Sequence, residues 1–158
     1  MTPRPNAAGG RVELLGSFHL GAAPSDVFPL FTPLGERDWV PGWNPVFVHP
    51  SSGEIEENQV FLTREGDEST LWSVVRLDPE RREVEYLRVT PGSRIARVEI
   101  RVSPCSEGSA VEIGYLWTAL TARGRGQVED FERGFEAMLA EWQRLTNRWL
   151  RTSGGPPR

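Results

Sequence analysis

The stretch Gln127-Val-Glu-Asp-Phe-Glu-Arg-Gly-Phe-Glu-Ala-Met-Leu-Ala-Glu-Trp-Gln-Arg-Leu-Thr-Asn-Arg-Trp-Leu150 decides the fold. Its apolar residues fall at Phe131, Phe135, Met138, Trp142, Leu145 and Trp149, the stripe of an amphipathic helix. Glu129, Asp130 and Glu132 near its start and Arg144, Arg148 and Arg151 near its end complement the helix dipole. A face this bulky has to be covered by something, and the partner must come from upstream.

Upstream lies a series of strands. Gln59-Val-Phe-Leu-Thr-Arg-Glu65 precedes a turn at Gly66-Asp67, and Thr70 to Leu77 is closed by Asp78-Pro79. Glu83 to Thr90 ends at Pro91-Gly92, Ile95 to Val102 ends at Ser103-Pro104, and Ser109 to Thr121 completes the run, with a weaker strand over Val46 to His49. Turn signals recurring at roughly ten-residue intervals mark an antiparallel meander. Before it, Val12 to Leu20 reads as a strand, and Pro24-Ser-Asp-Val-Phe-Pro-Leu-Phe31 as a short helix capped by Ser25 or Asp26 and kept short by Pro29. A second helical turn over Pro33 to Asp38 leads into an irregular loop ending at Pro45. A sheet with one apolar face and one long helix bury each other, so the class is α+β: a curved antiparallel sheet of six or seven strands around the C-terminal helix, with two short helices after the first strand.

Composition narrows the function. The chain has 158 residues, a formal net charge of −4, one cysteine and no lysine, all 18 basic residues being arginine. Length and apolar content suit one domain, residues 11–152, with residues 1–10 and 153–158 as flexible tails. The acidic balance argues against nucleic acid as a partner, the short apolar runs against a membrane span, and the N-terminus against a signal peptide, so a cytoplasmic protein is expected. A single cysteine excludes a disulfide framework, and the absence of lysine excludes Schiff-base chemistry. His19 and His49 have no partner at metal-ligand spacing, and Cys105 lies in a turn, so neither a metal nor a cofactor is expected. Gly124-Arg-Gly126 reads as a turn and not as a phosphate loop.

Ala23-Pro-Ser-Asp-Val-Phe28 at the first helix, Glu36-Arg-Asp-Trp-Val-Pro-Gly-Trp43 after the second, the pattern Val60-Phe61, Trp72, Tyr86, and Tyr115-Leu-Trp-Thr-Ala-Leu-Thr121 before the long helix resemble the START-like, helix-grip superfamily. That superfamily takes in birch-pollen-allergen-like (Bet v 1-like, SRPBCC) proteins, polyketide cyclases and dehydratases, and Hsp90-activator homologues. The resemblance spans Val12 to Leu150. It implies the helix-grip fold but no single function, because the fold serves carriers, cyclases and interaction modules.

Aromatic residues carry the functional expectation. Trp39 and Trp43 flank Val-Pro-Gly in the loop that would close the mouth between sheet and helix; they either line a cavity or plug the core. Trp142 and Trp149 are assigned to the core. Strand parity turns Ala96, Val98, Ile100 and Val102 inward, together with Val111, Ile113, Tyr115 and Trp117. If Val84 and Tyr86 point inward, Arg88 does too, and would then need an acid from Glu36 or from a ligand; at the sheet's end it would reach water instead, which the sequence slightly favours. The leading expectation is a carrier or sensor that binds a hydrophobic, lipid-like or aromatic small molecule. Its wall would be Trp39, Trp43, Trp72, Phe135 and Met138, with Tyr86, Tyr115 and Arg88 as polar contacts. A cyclase-like enzyme using Tyr86, Tyr115, Glu36 or Arg88 is the second reading, and an interaction module the third. A homodimer is left open.

Overall fold

The structure, a computed structural model, describes residues 10–152; residues 1–9 and 153–158, where the tails are expected, lie outside the described residues. Gly10, just before the sheet, accepts a hydrogen bond at its carbonyl from the Ala119 N–H at 3.1 Å. Seven strands form one antiparallel sheet: β1 Arg11–Leu20, β2 Val46–His49, β3 Val60–Glu65, β4 Glu68–Asp78, β5 Glu83–Thr90, β6 Arg94–Cys105 and β7 Gly108–Ala119. Their order is β1-β7-β6-β5-β4-β3-β2. Each of β2 to β6 pairs with its successor, and β1 pairs with β7.

Alternation sorts the two faces. Along β6, Ala96, Val98, Ile100 and Val102 are buried while Arg97, Glu99 and Arg101 are exposed, as parity expects. The outward charges pair across strands, Arg97 with Glu85 at 2.6 Å and Arg101 with Glu83 at 3.0 Å. Register shifts interrupt the β2–β3 pairing between Phe47 and His49 and the β4–β5 pairing between Val74 and Arg76, and such bulges increase local twist and bend a sheet.

The first helix is shorter than its sequence suggests. One α turn, α1 (Pro24–Val27), passes into a 3-10 turn over Phe28–Phe31. Ala23 is its N-cap, and neither Ser25 nor Asp26 caps it. Pro24 sits at the first helical position, where its missing N–H costs nothing. A second 3-10 turn, Gly35–Asp38, follows.

The long helix α2 (Ala122–Thr152) starts earlier than periodicity indicates and spans 31 residues. Gly124-Arg-Gly126 is thus its first turn and not a loop. The Thr121 Oγ1 accepts from the Gly124 N–H at 3.1 Å, a side-chain cap that the sequence expectation missed. The acidic cluster at residues 129–132 falls in the second and third turns, leaving no acid in the first. Two glycines fix how closely the helix lies on the sheet. A Cβ on Gly124 would stand 1.8 Å from the Ser93 carbonyl oxygen, and one on Gly16 would stand 2.2 Å from Leu139 Cδ1. The helix is therefore seated on the β5–β6 turn at Gly124 and on β1 at Gly16, and space remains between these two seats.

Candidate functional site

That space is a cavity of about 440 Å³ on the inner side of the sheet. Its wall comes from the inward residues of β3 to β7, from the loop after α1 and from α2. Trp43, Phe61, Trp72, Trp117, Phe131, Met138 and Trp142 supply most of the apolar surface, and Glu36, Tyr86, Arg88 and Tyr115 the inner polar groups. Aromatic rings interlock around it: Trp72 stacks on Phe61 at 5.5 Å and meets Trp43 edge-on at 5.7 Å, while Phe131 tilts onto Trp117 at 5.1 Å. The indole N–H of Trp43 donates to the Pro33 carbonyl at 2.8 Å, which pins this loop ring over the mouth.

Of the ligand contacts expected from sequence, Trp43, Trp72, Tyr86, Arg88, Tyr115 and Met138 line this cavity. Trp39 and Phe135 do not. Trp39 is buried behind the wall, packs edge-on against Phe31 and Trp142, and donates its indole N–H to the Leu30 carbonyl at 2.7 Å. Of the two loop tryptophans, Trp39 is the core plug and Trp43 the lining residue. Phe135 is buried against Tyr115 and beneath Gly16, where helix and strand touch. One turn further on, Met138 faces open space. Trp142, assigned to the core from sequence, also reaches the cavity.

Arg88 turns inward, against the slight expectation that it would reach water. The register explains its position: Trp72 pairs with Arg88, Arg88 with Ala96, and Ala96 with Trp117, in one row across β4 to β7. Ala96 is small enough to leave the neighbouring position open, and the guanidinium carbon lies 4.6 Å from the Trp72 ring centre and 5.0 Å from that of Trp117. Both rings present cation–π faces. Arg88 makes no hydrogen bond or ion pair among the described residues, and its buried Nε and the Trp117 Nε1 are left unpartnered. Glu36 does not reach it as a salt-bridge partner.

The other polar groups differ in what they have free. Tyr86 donates its hydroxyl proton to the Phe31 carbonyl at 2.9 Å, so it is tied into the core. Tyr115 makes no such bond among the described residues; burial, the largest effect, raises its pKa, with Arg88 pulling it down and Glu36 pushing it up. Glu36, held at the 3-10 turn by its backbone, has a carboxyl without a hydrogen bond among the described residues, and burial pushes it up to about 8. A carboxyl so placed keeps its proton to higher pH than an ordinary one and is able to donate it.

Sequence reasoning missed Arg94, which falls one residue before the expected start of β6. It is buried at the cavity rim, with its two terminal nitrogens each 3.1 Å from a carboxylate oxygen of Glu68. It also missed a cluster of different origin. Pairing of β1 with β7 and closure of the β6–β7 hairpin bring His19, Cys105 and Glu107 together, their ligand atoms within 4.8 Å of one another. Cys105 is the last residue of β6 and not part of the turn. This cluster lies on the surface, away from the cavity, and it could not be read from sequence spacing.

The architecture recurs in solved structures. Protein MLL2253 from Mesorhizobium loti superposes with a TM-score of 0.65 at 11% identity, over 86% of this chain and 97% of that one. Norcoclaurine synthase from Thalictrum flavum, in complex with dopamine and hydroxybenzaldehyde, gives 0.63 at 13% identity over 89% of each chain. The chain has the helix-grip fold. CalU16 from Micromonospora echinospora shares it, with a TM-score of 0.59 at 18% identity over 99% of this chain and 83% of that one. No protein-family model and no curated protein matches the sequence. Among the described residues, no helix of this helix-grip chain is long and apolar enough to cross a membrane.

Proposed function

We propose that the protein binds an apolar, aromatic small molecule between the sheet and α2. The observation that carries this reading is the cavity of about 440 Å³ walled by Trp43, Phe61, Trp72, Trp117, Phe131 and Trp142. Its volume lies in the range of small-molecule sites, and its chemistry is theirs as well, mostly apolar with a few convergent polar groups. Removing apolar ligand surface from water supplies about 25 cal/mol per Å² before the costs of association. Flat rings suit such a wall because they stack or meet edge-on without leaving gaps. That norcoclaurine synthase is seen with dopamine and hydroxybenzaldehyde agrees with an aromatic guest for this fold.

Titration with 1-naphthylmethanol tests the reading. The expected result is saturable quenching of tryptophan emission at one molecule per chain, since Trp43 and Trp72 form the wall. A linear response with no saturation, in protein shown to be folded by circular dichroism, contradicts it.

Glu36 favours a second reading, a cyclase-like enzyme. An acid pushed up to about 8 by burial, inside an apolar cavity beside the free hydroxyl of Tyr115, has the properties of a proton-transfer group. Under this reading Glu36→Gln abolishes turnover of a bound substrate while leaving its affinity within about twofold; under the carrier reading there is no turnover to lose. An interaction module is the weakest of the three, since the outward charges of β5 and β6 are engaged with one another.

A further inference from the structure

We propose that the ligand is a carboxylic acid, bound as its anion, and that Arg88 receives the carboxylate inside the cavity. The inference rests on the cavity being a ligand site and adds the chemical class of the guest.

A guanidinium drawn partly out of water, as that of half-buried Arg88 is with its Nε enclosed, ordinarily has an acid beside it, because an unpaired buried charge is costly. Arg88 has none. Its contacts are the two indole faces, its Nε is an orphaned donor, and the neighbouring Trp117 Nε1 is a second one. Burial, the largest effect on it, works against its charge. Tyr115 stands nearby with its hydroxyl proton unspent. The nearest protein acids do not fill the role. Glu68 is engaged by Arg94 through both oxygens, and Glu65 is exposed at the rim without an ion pair to Arg88. This end of the cavity is therefore rich in donors and short of acceptors.

What completes it is a planar acceptor with one negative charge. The guanidinium fork matches a carboxylate in two parallel hydrogen bonds, and charge-assisted bonds of this kind are the strong ones. A dianion such as a phosphate monoester fits less well. Arg94 is already neutralised by Glu68, and Glu65 and Asp130 line the same opening, so a second negative charge would meet repulsion from these carboxylates. The stacked indoles also fix the guanidinium before any ligand arrives, which lowers the ordering cost of binding.

The test compares 2-naphthoate with 2-naphthylmethanol at pH 7, on wild type, Arg88→Gln and Arg88→Met, by tryptophan quenching. The expected result is that wild type binds the anion at least ~10-fold more tightly than the alcohol, and that both variants lose this preference while still binding the alcohol. Equal or weaker binding of the anion by wild type overturns the inference and leaves the cavity as a site for neutral guests. So does a preference that survives both substitutions. If neither probe binds folded wild type, the ligand-site reading fails and this inference fails with it. Should a variant not fold, the wild-type comparison of the two probes, repeated with phenylphosphate as a dianion expected to bind more weakly than the carboxylate, decides alone.

Discussion

The guanidinium carbon of Arg88 lies 4.6 Å from the ring centre of Trp72, its cross-strand neighbour, and both side chains point into the same cavity. A cation resting on aromatic faces is attracted to them, but the indoles cannot replace the hydrogen bond that its enclosed Nε gave up to water. Fold and function therefore pull in different directions at this residue. Replacing Arg88 with Met keeps the volume and removes the desolvated charge. Arg88→Met is expected to match wild type in urea unfolding, or to exceed it by about 1 kcal/mol. A loss above ~2 kcal/mol would make the guanidinium part of the structural core instead.

Glu36 sets a pH dependence. Burial moves its carboxyl from the ordinary value of 4.5 to about 8, so the folded state holds its proton more tightly than the unfolded chain. Stability is then highest below the unfolded value and falls as pH rises from about 4.5 to about 8, reaching its floor above that. Tyr86 and Tyr115, the titratable groups coupled to it, are both raised by burial and stay protonated through this window. Glu36→Gln should match wild type near pH 4 and become the more stable protein by a few kcal/mol at pH 9, since every tenfold difference in proton affinity between folded and unfolded chain corresponds to ~1.4 kcal/mol. Parallel stability curves for the two proteins across that range would show a carboxyl with ordinary solvation.

The two tyrosines separate by their partners. Tyr86→Phe leaves the buried carbonyl of Phe31 without its donor and is expected to cost ~1–3 kcal/mol. Tyr115→Phe removes a hydroxyl with no protein partner among the described residues and should stay within ~0.5 kcal/mol of wild type. Chemical denaturation of both variants checks the order, which would be reversed if Tyr115 were the structural one.

Gly16 holds the helix against β1. A Cβ there would sit 2.2 Å from Leu139 Cδ1 and 3.1 Å from Phe135 Cε2, so Gly16→Ala forces α2 or these side chains to move. The expected cost is ~1–3 kcal/mol, from overpacking, in thermal or urea unfolding. An unchanged midpoint would mean that Leu139 simply rotates away and that the helix is not seated at this point.

Much of the architecture was legible in the sequence, because it follows from local patterns. The stripe from Phe131 to Trp149 specifies a helix, and the strict alternation of Ala96 to Val102 specifies which face of β6 is buried. What local pattern does not contain is the neighbour across the sheet. Parity alone placed Tyr86 and Arg88 on one face, but only the row Trp72, Arg88, Ala96, Trp117 shows why a guanidinium can stay inside. Trp39 and Trp43 likewise look equivalent in sequence. They part because one indole N–H finds the Leu30 carbonyl behind the wall and the other the Pro33 carbonyl at the mouth. Phe135 and Met138 share a helix face, and Gly16 decides that only Met138 meets open space. The early start of α2 is hidden in the sequence because glycines at 124 and 126 read as a turn, although the Thr121 side chain caps the helix there.

The chain has two methionines, Met1 and Met138, and Met138 stands in the cavity wall. Methyl-13C methionine labelling therefore gives a Met138 resonance that reports on the space between sheet and helix. Under saturating 1-naphthylmethanol, the Met138 methyl signal should shift and show nuclear Overhauser contacts to naphthyl protons. A Met138 methyl that neither moves nor contacts the probe, in folded protein, would contradict the account.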